Sequence, residues 1–198
     1  NLLVDSSMIV VVGHGFGGTL AHRIAKASDG VFSAVIMVGS TALSYEDYLL
    51  GHSNLSSHTA DELKAYQDTL DKLSKMKEQT ALENTETVLG HSVYYFWELQ
   101  KTNNYELIRK LRLPTYIVQG KKDPLVPENE GWRQYNNKIG EGVKYVTYRS
   151  FPGLNHVLMS DSSTDAYGLP QYTENATLDI SAGRSIGQWI LSLKSTAE

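Results

Sequence analysis

The chain has 198 residues, 41% of them hydrophobic, a formal net charge of -4 and no cysteine. Length and composition suit one packed domain, the charge argues against nucleic acid as a partner, and the lack of cysteine excludes disulfides, thiol catalysis and Cys-bound zinc. No apolar run approaches the ~20 residues that cross a bilayer. Met8–Val12 reads as a fully buried strand, a short β-branched run closed by glycine. Gly17 to Ala27 reads as a helix ended by Ser28-Asp29-Gly30, and Ser33–Val38 as a second buried strand stopped at Gly39. From about Ser44 to Leu111 the sequence turns polar and helical. Thr59-Ala60-Asp61-Glu62 fits a capping box, and Leu63, Tyr66, Leu70, Leu73 and Met76 follow as one apolar stripe. The apolar group Val93–Trp97 comes before Pro114–Gly120, a third buried strand. Glu128 to Ile139 predicts a helix, Val143–Tyr148 a fourth strand, Phe151–Asn175 a loop and Leu178–Leu193 a last helix. In that helix Ile180, Ile186, Trp189, Ile190 and Leu193 are the apolar positions.

Strands alternating with helices predict an α/β fold, a mostly parallel sheet covered by helices on both faces. Residues 1–43 and 112–198 read as its core, and 44–111 as a helical cap insertion rather than a second domain. Asn1–Asp5 lacks the basic start and apolar length of a signal peptide. Asn54-Leu55-Ser56 and Asn175-Ala176-Thr177 match the glycosylation sequon, a motif frequent by chance. The sequence predicts no membrane span and leaves cytoplasm and exterior both open.

The chemistry concentrates in three places. Gly13-His14-Gly15-Phe16-Gly17-Gly18 follows the first strand and enters the first helix. This is the frame of G-x-S-x-G, in which a strained strand-to-helix turn lifts a serine oxygen above the sheet. Gly13 and Gly17 take the flanking places, and Gly15 takes the place of the nucleophile. Glycine has no side chain to attack with. Acyl transfer by a hydroxyl also needs a base, and an acid to orient that base. Asp123, in Gly120-Lys121-Lys122-Asp123-Pro124, stands just beyond the third strand. His156, in Pro152-Gly153-Leu154-Asn155-His156, stands in the loop after the fourth. The order is nucleophile, acid, histidine, and both residues fall outside the carboxyl ends of strands, where open α/β sheets bind ligands.

Taken alone, Asp123 is a turn residue before proline and His156 a surface histidine. Following a glycine turn, in this order, they read as members of a triad. Phe16 enters through its backbone N–H, which follows the nucleophile position and is one oxyanion donor. His14 is expected to pack or bond locally, and His22, His52, His58 and His91 to be ordinary helix or loop residues. Ser40 ends the second strand without a strained turn to present its oxygen. Tyr95 and Trp97 are candidates to line an acyl pocket, with packing inside the insertion at least as good a reading. The pattern calls for no metal and no cofactor. Gly13, Gly15 and Gly18 also satisfy G-x-G-x-x-G, the fingerprint of a dinucleotide-binding fold. That motif wants an acidic residue about 20 positions on; the second strand ends instead in Val38-Gly39-Ser40, and Asp123 and His156 are left without a role.

On these residues the chain resembles the α/β-hydrolase superfamily over nearly its whole length, especially bacterial serine esterase or peptidase-like members. Residues 152–156 match the histidine loop P-G-L-N-H, Gly120–Asp123 match the acid loop, and Tyr95–Leu99 looks like an aromatic cap segment. The resemblance implies hydrolysis of a carboxylic ester or related acyl bond, on a small-molecule substrate, with His156 as general base and Asp123 as orienting acid. There are two departures. Gly15 replaces the serine, so the chain is expected to be nearly inactive by that route. The glycine turn begins at residue 13, whereas the fold places earlier strands, and the loop giving the second oxyanion N–H, before it. The resemblance therefore implies the C-terminal portion of a larger hydrolase, with the N-terminal half as an expected partner. Gly15 is either natural in a hydrolase fold kept for binding or a substituted serine. The retained Asp123 and His156 favour the second, since a binding protein has no chemical need of them.

Overall fold

The computed structural model describes residues 6–44, 47–48, 59–88, 91–101, 103–160 and 177–194. The chain forms two compact units, residues 1–42 with 104–198, and residues 43–103. In chain order the elements are β1 (Val10–His14), α1 (Phe16–Ala27), β2 (Ala34–Val38), α2 (Ala60–Leu73), α3 (Glu78–Glu83), β3 (Thr87–Val88), β4 (His91–Ser92), α4 (Val93–Gln100), α5 (Asn104–Leu111), β5 (Thr115–Gly120), α6 (Trp132–Ile139), β6 (Val146–Phe151) and α7 (Ile180–Lys194).

In the first unit the sheet order is β1-β2-β5-β6. Every pairing is parallel, with Val10 opposite Ala34, Val35 opposite Thr115 and Thr115 opposite Val146. The two central strands, AVIMV and TYIVQG, are buried at every position. A strand with neighbours on both edges and helices on both faces has no solvent side, so its sequence does not alternate. Successive β2 residues point to opposite faces. Val35 and Met37 pack with Ala21 and Ala25 of α1, Ile108 of α5, and Tyr135 and Ile139 of α6. Ile36 and Val38 face Ala182, Ile186, Trp189 and Ile190 of α7. There Tyr116 stacks on Trp189 at 5.0 Å, and its hydroxyl lies 2.7 Å from Ser185 Oγ.

The second unit has its own small core of Tyr66, Leu70, Leu73, Val93 and Phe96. Helix α2 starts at the capping box read from the sequence. Thr59 Oγ1 accepts from Glu62 N, and Glu62 Oε2 accepts from Thr59 N at 2.7 Å. A two-stranded antiparallel ladder, β3 with β4, joins the helices; the polar sequence gave no alternation long enough to announce it.

Five expectations need correction. The first strand runs over Val10–His14 and is only half buried, with Val12 59% exposed. It pairs with β2 alone among the described residues, so an apolar run sits at a sheet edge. Helix α5, expected within the insertion 44–111, belongs to the first unit, where its Leu107 and Ile108 are buried. The fourth strand runs three residues later than expected. Gly140 and Gly142 have positive φ and Val146 N donates to Val143 O, so Val143 lies in a turn. Strand β6 buries only its end residues Val146 and Phe151, and continues through the polar Arg149 and Ser150. Helix α6 starts at Trp132 instead of Glu128, because Pro127–Gly131 forms a turn first. Of the last helix's expected apolar positions, Ile180 is 75% exposed. His52, His58, both sequons and most of the loop 151–175 involve residues outside those described.

Candidate active site

Strand β1 ends at His14 and α1 begins at Phe16, so Gly15 alone makes the turn. Its φ of 55° and ψ of -124° lie where a side chain is strained and glycine is at ease. Gly15 N donates to Val38 O at 2.8 Å, and Gly18 N to Gly15 O at 3.1 Å, which ties the turn to β2 and opens the helix. Ser40 is buried, and its Oγ donates to Gly15 O at 3.0 Å. The hydroxyl is committed to holding the turn. No acidic residue occupies the first turn of α1, and no side chain caps it, so its N-terminal dipole faces the turn uncompensated.

Asp123 sits beyond the carboxyl end of β5, with its side chain fully buried. Its Oδ1 accepts from Leu125 N and Val126 N, each at 2.9 Å. These two bonds fix the plane of the carboxylate and aim Oδ2 away from its own loop. Oδ2 lies 2.8 Å from His156 Nδ1. An ionised carboxylate only accepts, so Nδ1 carries the proton and Nε2 keeps its lone pair. His156 Nε2 has no hydrogen-bond partner among the described residues, and the side chain is 9% exposed.

The loop that carries His156 is anchored on three sides. Lys121 N donates to Phe151 O and Lys122 N to Leu154 O, each at 2.9 Å, stitching it to the acid loop. Asn155, itself buried, accepts from Val157 N and Met159 N, each at 3.0 Å, on its Oδ1. His14 Nε2 lies 3.0 Å from His156 O, and the two rings are 4.5 Å apart. A Cβ built on Gly15 would stand 3.2 Å from His156 Nε2. Beneath the ring is Gly39, with φ 56°, where a Cβ would come within 3.1 Å of the imidazole.

Gly15, Asp123 and His156 are thus brought together, with Phe16 opening the helix beside them. Tyr95 and Trp97 lie in the other unit. Tyr95 stacks on His91 at 4.8 Å, and Trp97 Nε1 donates to Met76 O at 2.9 Å beneath Lys101. His22, expected to be ordinary, is fully buried in α1. Among the described residues no group of three or more His, Asp and Glu is placed to hold a metal ion, and no helix is long and apolar enough to cross a membrane.

Three supporting residues escaped the sequence reading. Gln119 accepts from Trp132 N at 2.9 Å and donates to Val126 O, holding the acid loop between β5 and α6. Its signal was an amide at the end of an otherwise apolar strand. Asn155 had a signal too, as the polar neighbour of the loop histidine. Gly39 had only its place directly after a buried strand. Chemically, the arrangement offers an oriented base facing a helix N-terminus, with a backbone turn where an attacking side chain would stand.

The sequence model of the prolyl oligopeptidase family matches residues 1–168. Esterase EstD of Thermotoga maritima is 24% identical over 196 residues, which cover 94% of this chain and 43% of that protein. The chain therefore spans less than half the length of that relative. A monoacylglycerol lipase of Paleococcus ferrophilus has a similar fold, with a TM-score of 0.51 and 16% identity, over 93% of this chain and 68% of the lipase. A parallel sheet with helices on both faces and a match over most of its length agree: the chain belongs to the prolyl oligopeptidase family of the α/β-hydrolase superfamily.

Proposed function

We propose that the site of Gly15, Asp123 and His156 is the acyl-transfer site of a serine hydrolase, with glycine at the nucleophile position. In the parent chemistry a serine at position 15 attacks the carbonyl of a carboxylic ester or related acyl compound. His156 takes its proton, Asp123 holds the histidine tautomer, and the Phe16 N–H with the α1 dipole stabilises the oxyanion. The reading rests above all on the 3.2 Å between His156 Nε2 and the position of a Cβ on Gly15. A serine oxygen there is one bond from the base that would activate it. The esterase name of the Thermotoga relative supports carboxylic esters as the substrate class. With glycine in place, the chain is predicted to be nearly inactive by the serine route.

The test is Gly15→Ser. Restoring the hydroxyl should let p-nitrophenyl acetate leave an acetyl ester on the introduced serine, seen by peptide mass, with a stoichiometric burst of p-nitrophenolate. Loss of a triad nucleophile costs up to about 10⁶-fold in turnover, and loss of one oxyanion donor about 10²–10³-fold. A large gain is therefore expected where both donors are present, and a weak one with the Phe16 N–H alone. A folded Gly15→Ser chain that binds the ester and carries no acetyl at that position would favour a hydrolase fold kept for binding.

A further inference from the structure

Removing the serine leaves the base facing the substrate. We propose that His156 is itself a nucleophile in this chain, and that the site hydrolyses activated esters through an acyl-imidazole. The inference rests on the acyl-transfer reading above and goes beyond it, since a general base becomes the group that is acylated. Nε2 has no partner among the described residues and stands 3.2 Å from the empty Cβ position of Gly15. An acyl carbon seated above the Gly15 turn therefore meets nitrogen where the parent enzyme would offer oxygen. The ring is held for attack. Asp123 Oδ2 at 2.8 Å keeps the proton on Nδ1 and raises electron density at Nε2, His14 holds the backbone carbonyl, and Gly39 leaves the ring its place.

The step balances without a co-reactant. The Nε2 lone pair forms a bond to the acyl carbon, the carbon–oxygen bond of the ester breaks, and the leaving group departs with that pair as an oxyanion. This leaves an acyl-imidazolium whose Nδ1–H still bonds Asp123. Water then adds to the acyl carbon, the carbon–nitrogen bond breaks, and the products are the carboxylic acid, one proton and neutral His156.

The same step sets the substrate class. In the serine route, the protonated histidine gives its proton to the leaving group. Here that histidine is occupied, so no protonated group remains to help. Only leaving groups stable as anions should depart, which means aryl esters and thioesters of short acids. Alkyl esters and amides should not react. Among the described residues the other histidines are poorly placed for it. His22 is sealed in the core, His14 is engaged by the His156 carbonyl, and His91 lies on the short strand β4 against Tyr95.

The experiment treats the unaltered chain with p-nitrophenyl acetate, quenches in acid and maps acetyl groups by peptide mass. The expected result is a burst of up to one p-nitrophenolate per chain, with the acetyl on His156. It should form about 10²-fold faster than on His91, the contribution of one oxyanion donor. His156→Gln should abolish the burst, and ethyl acetate should give none. Equal acetylation of His156 and His91 overturns the proposal. So does steady release of p-nitrophenolate with no adduct and a solvent deuterium isotope effect, the mark of His156 activating water instead. Gly15→Ser separates the two readings. An acetyl on the introduced serine, with none on His156 of the unaltered chain, rejects the histidine route and leaves the acyl-transfer site standing. If neither chain is acetylated, both fall.

Discussion

Asp123 divides its two oxygens between tasks. Oδ1 is held by two backbone N–H groups of its own loop, and Oδ2 is left for His156. The imidazole is confined on its other side by Gly39, which gives a sharp test of the geometry. Gly39→Ala adds a Cβ within 3.1 Å of the ring at a position with φ 56°. The left-handed backbone alone should cost about 1–2 kcal/mol. The ring should also be displaced from Asp123, so thermal unfolding should show lower stability and His156 should lose its acylation by p-nitrophenyl acetate. Unchanged reactivity would contradict the positioning described. His22 shows a different use of burial. Thr115 Oγ1 donates to Leu113 O at 2.8 Å and so accepts from His22 Nε2 at 3.0 Å, leaving Nδ1 unprotonated and sealed without a partner. Burial pushes this histidine down to about 4. The unfolded chain takes up its proton near 6.5, so the folded state binds fewer protons between those values. Its contribution to stability is present above pH 6.5 and is lost as the pH falls towards 4. Urea midpoints should therefore drop over that window, and His22→Gln should flatten the drop by up to about 1.4 kcal/mol per pH unit. Asp123 and His156 were legible from order and context, and Gly15 from the glycines around it. Gln119, Asn155, Gly39 and the sealing of His22 were not. Each acts through contacts across 13 or more positions of the chain, or with its own loop in a shape no spacing encodes.

At the scale of elements, two similar-looking strands have different roles. β2 and β1 are both short β-branched runs, yet among the described residues β2 has a strand on each side and β1 pairs with β2 alone. Ile36 is fully buried and Val12 is 59% exposed. Ile36→Ala should therefore cost about 2–5 kcal/mol, and Val12→Ala should stay within about 0.5 kcal/mol, as exposed positions do. Equal losses in urea denaturation would mean that β1 is covered. This is also where the sequence reading went astray. Hydrophobic content identified both strands, but position in a sheet depends on which neighbours arrive, and that is not written in a strand's own residues. The reverse holds for β6, whose exposed Thr147 and Arg149 between half-buried neighbours mark a strand covered less than β2 and β5. The α2 boundary was legible because a capping box is local, closed by Thr59 and Glu62 alone.

Across the whole molecule, the site is built where three loops leave the carboxyl ends of β1, β5 and β6 within one unit. Parallel strands make this possible, since every strand ends on the same side and residues far apart in sequence meet there. The second unit packs around its own core and contributes none of Gly15, Asp123 and His156. The central claim is that the proposed acyl-transfer site keeps its oriented base and acid and lacks the nucleophile's oxygen. The most direct measurement is intact-mass labelling by a fluorophosphonate probe of the unaltered chain and of Gly15→Ser, both shown to be folded. One adduct on the introduced serine and none at any serine of the unaltered chain is the predicted result. Stoichiometric labelling of the unaltered chain at a serine, or a folded Gly15→Ser chain that takes no label, would contradict the account.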